Sequence, residues 1–281
     1  MNTNDFKTRT EIIEEQSTCP EGYWVLGLDT GYSSVKGKSP NKRFAFPYYA
    51  KKVPEGRAFL REAEDSDIRY RDETGEWVVG KLAYDEVNAK EIVDSEQELT
   101  GRHRFFTDIF RVTTRTGIAL GLMPNKYGSC EDKHIMIEAG LPPKYINDAV
   151  DLREALCGKH DFEVKVGAGN WIKYSIELKE NDIQVMPQPL GSLVSASTNA
   201  NGRQSKTAIQ YWSANVLVFD PGYGTLDTYI VKRGQVIGKG ETFPEYGMHE
   251  VFARTCRDIE KEFGVKKYEL DLLSGGAPCQ S

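Results

Sequence analysis

The chain has 281 residues, of which 36 are Lys or Arg and 42 are Asp or Glu, for a net charge of −6. That length is enough for a sizeable core and one or two domains, and the acidic balance supplies no basic face of the kind that neutralises phosphates in unaided nucleic-acid binding. Five scattered cysteines (Cys19, Cys130, Cys157, Cys256 and Cys279) show neither a disulfide framework nor zinc spacing. No apolar run approaches the ~20 residues of a membrane span, and residues 1–18 are polar rather than signal-like, so the expectation is a soluble, cytoplasmic protein with no membrane partner and a flexible arm over residues 1–22.

Tyr23 to Leu28 is an apolar run of strand length that ends in a tight turn, and Ser33 to Gly37 returns as a second strand. From Leu26 to Lys36 the chain reads LGLDTGYSSVK. Asp29 closes the first strand, and Gly31, two residues on, lets backbone N–H groups approach an anion. Arg43 to Tyr49 alternates aromatic residues, with Pro47 placing the strand at an edge or an end. Thr74-Gly75 between Tyr70 and Trp77 predicts a hairpin. Apolar residues from Arg104 to Leu122 recur at helical spacing and predict a core helix, with Arg102-His103-Arg104 as its solvated start.

Lys133 to Glu138 reads as a strand, Gly140 to Pro143 as a turn and Ile146 to Leu156 as a helix. Phe162 to Val166 and Trp171 to Leu178 form a predicted hairpin, and Ile183 to Met186 is another short strand. Pro187-Gln188-Pro189 then opens a helix rich in small residues. Ser197 to Lys206 is the most loop-like stretch and separates an expected domain over residues 23–200 from a second over 207–281. Asn215 to Phe219 starts that second domain, and Val218 to Asp227, VFDPGYGTLD, repeats the earlier pattern. Asp220 ends a strand, Gly222 follows two residues later, and Leu226 to Val231 returns. A helix from Met248 to Phe263 with Gly264 as its C-cap closes the readable pattern. The four histidines, His103, His134, His160 and His249, share no ligand spacing.

Two such turns can clamp a nucleotide's phosphates from both sides, while carboxylates hold Mg²⁺ through water. The pair resembles the phosphate-1 and phosphate-2 motifs of the actin, sugar kinase and DnaK-chaperone superfamily, and is most similar to the actin-like proteins of the ParM/StbA kind. Asp29, Gly31 and Lys36 fill the first motif; Asp220, Gly222, Thr225 and Asp227 fill the second. The resemblance implies an α/β actin-like ATPase fold, two RNase H-like domains around a nucleotide cleft. It also implies that Asp29, Asp220 and Asp227 place Mg²⁺. ATP phosphates would rest on Asp29, Thr30, Gly31, Tyr32, Ser33 and Lys36 from one side, and on Gly222, Tyr223, Gly224 and Thr225 from the other. Gly247 is implied to contact phosphate or ribose, with the following helix N-terminus adding partial positive charge.

Gln188, with Asp220, is the implied catalytic pair. A carboxamide there orients the attacking water, and positioning is most of what phosphoryl transfer asks of a protein. Without the resemblance, Pro187-Gln188-Pro189 is a helix-capping loop, Lys36 a surface lysine, Thr225 a strand threonine and Gly247 a plain turn. Leu272 to Ala277 (LLSGGA) is similar to the superfamily's adenosine motif, but too few residues separate it from the second turn, so the second domain is expected to stop short. By family implication the protein assembles with itself into filaments, and moves plasmid or phage DNA through a DNA-bound adaptor protein with no nucleic-acid contact of its own. A small-molecule kinase and a non-catalytic nucleotide-binding scaffold are the alternatives on the same fold; no acceptor pocket or carboxylate base for a kinase is identifiable.

Overall fold

A computed structural model describes residues 9–57, 59, 61–85, 102–199, 201–268 and 272. The first half opens with five strands, β1 (Glu11–Glu14), β2 (Tyr23–Thr30), β3 (Ser34–Ser39), β4 (Lys42–Pro47) and β5 (Ala50–Lys52). A hairpin follows, β6 (Ile68–Asp72) and β7 (Gly75–Val79), then α1 (Lys81–Tyr84) and α2 (Asp108–Leu122). Next come β8 (His134–Leu141), α3 (Ala149–Leu156), β9 (Gly158–Val166), β10 (Ile172–Leu178), β11 (Ile183–Pro187) and α4 (Gln188–Ser197). The second half holds α5 (Ala208–Ser213), β12 (Asn215–Pro221), β13 (Leu226–Lys232), β14 (Gln235–Phe243) and α6 (Met248–Phe263).

The strands form three sheets. A six-stranded sheet runs β1-β4-β3-β2-β8-β11 and a five-stranded one β10-β9-β6-β7-β5; β12-β13-β14 form a three-stranded antiparallel sheet. In the first sheet β2 pairs antiparallel with β3 and parallel with β8, which itself runs parallel to β11. Alternation along β2 sends Trp24, Leu26 and Leu28 into the core and turns Gly27 and Asp29 to the opposite face. Helix α2 lies between the first two sheets, contacting β2, β3 and β4 on one side and β5, β7 and β9 on the other. Its N-cap, Thr107, accepts from the Phe110 N–H at 3.2 Å, as a threonine before a helix should. The continuous core of this half runs from Trp24 to Ile183.

Two sequence expectations need correction here. Residues 11–14 are not part of a free arm: β1 adds to the edge of the first sheet by pairing with β4, with Ile12 opposite Phe44. Helix α2 begins at Asp108 rather than Arg104, because Arg102–Phe106 form a separate 3-10 turn. The chain also changes layers at Pro187 and Gln188, ahead of the Ser197 to Lys206 stretch expected to separate the domains, since α4 packs Leu190 and Leu193 with Tyr229 and Val231 of the third sheet. Helix α6 ends at Gly264 in the left-handed conformation, φ 66°, the expected C-cap. The stretch similar to an adenosine motif lies, apart from Leu272, outside the described residues. Among the described residues no helix is long and apolar enough to cross a membrane.

Candidate functional site

Both expected turns form, and they are built alike. Asp29 is the penultimate residue of β2 and faces Lys36 across the β2–β3 pair. Asp220 is the penultimate residue of β12 and faces Asp227 across β12–β13. The turn glycines match as well. A Cβ on Gly31 would lie 3.1 Å from the Ser34 carbonyl oxygen, and one on Gly222 3.0 Å from that of Thr225. Each glycine is there so that the chain can double back tightly on the carbonyl three residues later.

The turns and the start of α4 line one cleft of about 1090 Å³. Asp29, Thr30, Gly31, Tyr32, Ser33, Lys36, Gln188, Asp220, Gly222, Tyr223, Gly224, Thr225 and Asp227 all lie on its wall. Residues 159 positions apart meet there, Gln188 Nε2 donating to Asp29 Oδ1 at 3.0 Å. With the NH2 end of Gln188 turned to Asp29, its carbonyl oxygen is the end that can accept from a water. The turns also touch each other: a Cβ on Gly224 would lie 2.4 Å from Cδ2 of Tyr32.

Gly247 stands behind this wall. A Cβ there would come within 2.6 Å of the Gly224 carbonyl carbon and the Tyr223 oxygen, so only glycine lets the second turn rest on α6. The N–H groups of Met248 and His249 donate to the carbonyls of Gly222 and Tyr223, each at 3.0 Å. These two donors at the start of α6 brace the turn and are not presented to a ligand.

Acidic and basic side chains both line the cleft, Asp29, Glu138, Asp220 and Asp227 among the first and Lys36 and Arg104 among the second. Burial raises the Asp29 carboxyl above its ordinary value, opposed by the fields of Lys36 and Arg104, while Asp220 pushes the same way as burial. Burial likewise raises Asp227, against hydrogen bonds from Thr242 and Thr225 and with Asp220 adding to the rise. Asp227 is only 2% exposed and its Oδ1 has no hydrogen-bond partner, although Thr225 Oγ1 donates to Oδ2 at 2.9 Å. An orphaned carboxylate oxygen facing a second carboxylate is the arrangement a hard cation relieves. Among the described residues no three acidic, His or Cys side chains are close enough to hold an ion unaided.

Two wall residues escape the sequence pattern. Glu138, on β8 beside Gly27 and Gln184, lines the cleft with its Oε2 buried and unpartnered, and burial raises its carboxyl. A lone acid in an apolar central strand was the available signal. Arg104 is the second, and its expected role as a solvated helix start is wrong. It is 7% exposed, lines the cleft, and donates from Nη2 to the Thr30 carbonyl. Its guanidinium lies 4.7 Å from the Tyr32 ring centre and 5.6 Å from that of Tyr48.

The model of the actin-like proteins' N-terminal domain matches residues 27–191, and the chain belongs to that family. Solved structures share its fold. A non-polymerisable quadruple mutant of pCBH ParM superimposes with a TM-score of 0.63 at 19% identity, over 89% of this chain and 72% of that one. Apo pSK41 ParM gives 0.59 at 17% identity, over 91% and 77%. The subunit of a 15-stranded ParM filament from Clostridium botulinum gives 0.58 at 18%, over 90% and 73%. No curated protein sequence matches the chain. At such identities the structures establish the actin-like fold, a mixed α/β architecture, and the site's chemistry rests on this chain's own residues.

Proposed function

We propose that this protein is an actin-like ATPase that binds Mg²⁺-ATP between the two turns, hydrolyses it slowly, and assembles with its own copies into filaments. The observation that carries the reading is the meeting, in one cleft, of both Asp-x-Gly turns and a glutamine bonded to Asp29. Lys36 and the backbone of the first turn hold phosphate oxygens, as do Gly222 to Thr225 on the other side. Asp29, Asp220 and Asp227 would hold Mg²⁺, which when bound neutralises phosphate charge. Gln188, anchored through its amide to Asp29, turns its carbonyl oxygen to a water and aligns it with the terminal phosphorus. Glutamine is too weak a base to take the proton outright, which suits slow turnover that times an assembly.

Self-association is supported by the filament of a ParM relative. The role that follows is segregation of plasmid or phage DNA in the cytoplasm through a DNA-bound adaptor, because a net charge of −6 leaves this chain without a nucleic-acid face of its own. Light scattering at 90° after addition of Mg²⁺-ATP, followed alongside phosphate release, tests the reading. We expect a rise that decays as phosphate appears, and neither signal in Asp220→Ala. Phosphate release with no scattering would sink self-assembly; retention of full turnover by Asp220→Ala would sink the cation role of the second turn.

A further inference from the structure

Arg104 is a buried cation with no counter-charge among the described residues. It is 7% exposed, its Nε is buried without a hydrogen-bond partner, and among the described residues no carboxylate lies within ion-pair distance of it. Asp29 feels its field from farther off but is tied to Gln188 and faces Lys36. Its surroundings are aromatic, with Tyr32, Tyr48, Phe105 and Phe110 all within 5.8 Å of the guanidinium carbon. Ring faces offset part of the desolvation of a guanidinium, but an unpaired buried charge remains expensive. With no carboxylate at hand among the described residues, the cleft whose wall Arg104 joins at the first turn is where an anion can reach it.

We propose that Arg104 is a phosphate-binding residue of this cleft, supplying the counter-charge to the polyphosphate chain of the bound nucleotide. The inference rests on the nucleotide reading above and adds a residue to it. The guanidinium already grips the Thr30 carbonyl, so phosphate bound to its remaining N–H groups is held in fixed relation to the first turn. Tyr32 carries that order across the cleft, because its ring is stacked under Arg104 and pressed on Gly224 of the second turn. Both turns are therefore positioned by one buried cation.

The test is calorimetric titration of the full chain with Mg²⁺-ATP and with Mg²⁺-tripolyphosphate, which has no base, comparing Arg104→Gln and Arg104→Lys with wild type. Loss of a charged hydrogen bond to phosphate predicts that Arg104→Gln binds both probes roughly ten- to a hundredfold more weakly. Arg104→Lys, which keeps the charge, is expected to fall between. Equal binding by folded Gln and Lys variants would overturn the assignment, since a purely structural role through Thr30 and the rings would treat the two alike. Should Arg104→Gln fail to fold, Arg104→Lys decides: a folded Lys variant that binds both probes measurably more weakly than wild type supports the idea, and one that binds them as wild type does overturns it. Wild type that binds neither probe removes the nucleotide reading itself, a different failure from wild type that binds both and variants that match it.

Discussion

The two phosphate-type turns share a backbone plan and differ in everything around it. In the first, the strand-end aspartate faces a lysine; in the second, it faces another aspartate. The backing differs too. Three residues before each aspartate stands a leucine pointing away from the cleft. Leu26 is fully buried, whereas Leu217 is 62% exposed. β2 lies inside a six-stranded sheet covered by α2, while β12 is the edge of a three-stranded one. The first turn is thus charge-balanced and stands on a covered base. The second carries surplus negative charge on a thin base, and is steadied by α6 beneath it and Tyr32 across from it.

That contrast is sharpest at the buried leucine. Leu26→Ala removes side-chain atoms from the middle of the main core, between β2 and α2, and should cost about 2–5 kcal/mol of stability, measured as a shift of the urea midpoint at constant slope. A cost below about 1 kcal/mol would mean that the base of the first turn is no firmer than that of the second.

The charge contrast predicts a smaller effect of opposite sign. Burial and Asp220 raise the folded-state pKa of Asp227 above its unfolded value, so its ionised form is penalised at neutral pH and the penalty fades as pH falls through the folded value. Without ligand, Asp227→Asn should therefore be more stable than wild type at pH 7, by about 1 kcal/mol, the low end of what an unsatisfied buried polar group costs. The difference should shrink toward the acid range, as thermal melts at several pH values would record. Mg²⁺ with nucleotide should stabilise wild type and lose that effect in the variant. A variant less stable than wild type at pH 7 would show that the carboxylate is already satisfied.

Much of this was legible in the chain. The turns could be read because Asp, Gly and a returning strand fall within ten residues, where local chemistry dictates geometry. Gln188 could be placed because a strand and two prolines fix where α4 begins. Arg104 could not, since its burial depends on Tyr32 and Tyr48, distant in sequence, folding over it; next to His103 it reads as a wet charge cluster. Gly247 could be singled out, but its packing on Tyr223 and Gly224 could not, because contact between elements distant in sequence leaves no local pattern. β1 was missed for a related reason: Glu11–Glu14 is a strand only because the edge of β4 is there to receive it.

The smallest effect is the most revealing one for the second turn. Leu217 lies opposite Ile230, and Ile230 opposite Ile237, so three apolar side chains line up across one face of the third sheet with exposures of 62%, 43% and 43%. Phe219, one position from Asp220, is 60% exposed on the same face. For a lone chain, Leu217→Ser removes almost no buried area, and its stability should stay within about 0.5 kcal/mol of wild type. Apolar patches of this kind are uncommon on free surfaces, which gives the measurement its force. A loss of 2 kcal/mol or more, in the range of Leu26→Ala, would mean that the face is covered in solution; a loss that also grows as the protein is diluted would identify the cover as another copy of the chain. The two strand bases would then be equivalent, and the asymmetry between the turns would reduce to the single exchange of Lys36 for Asp227.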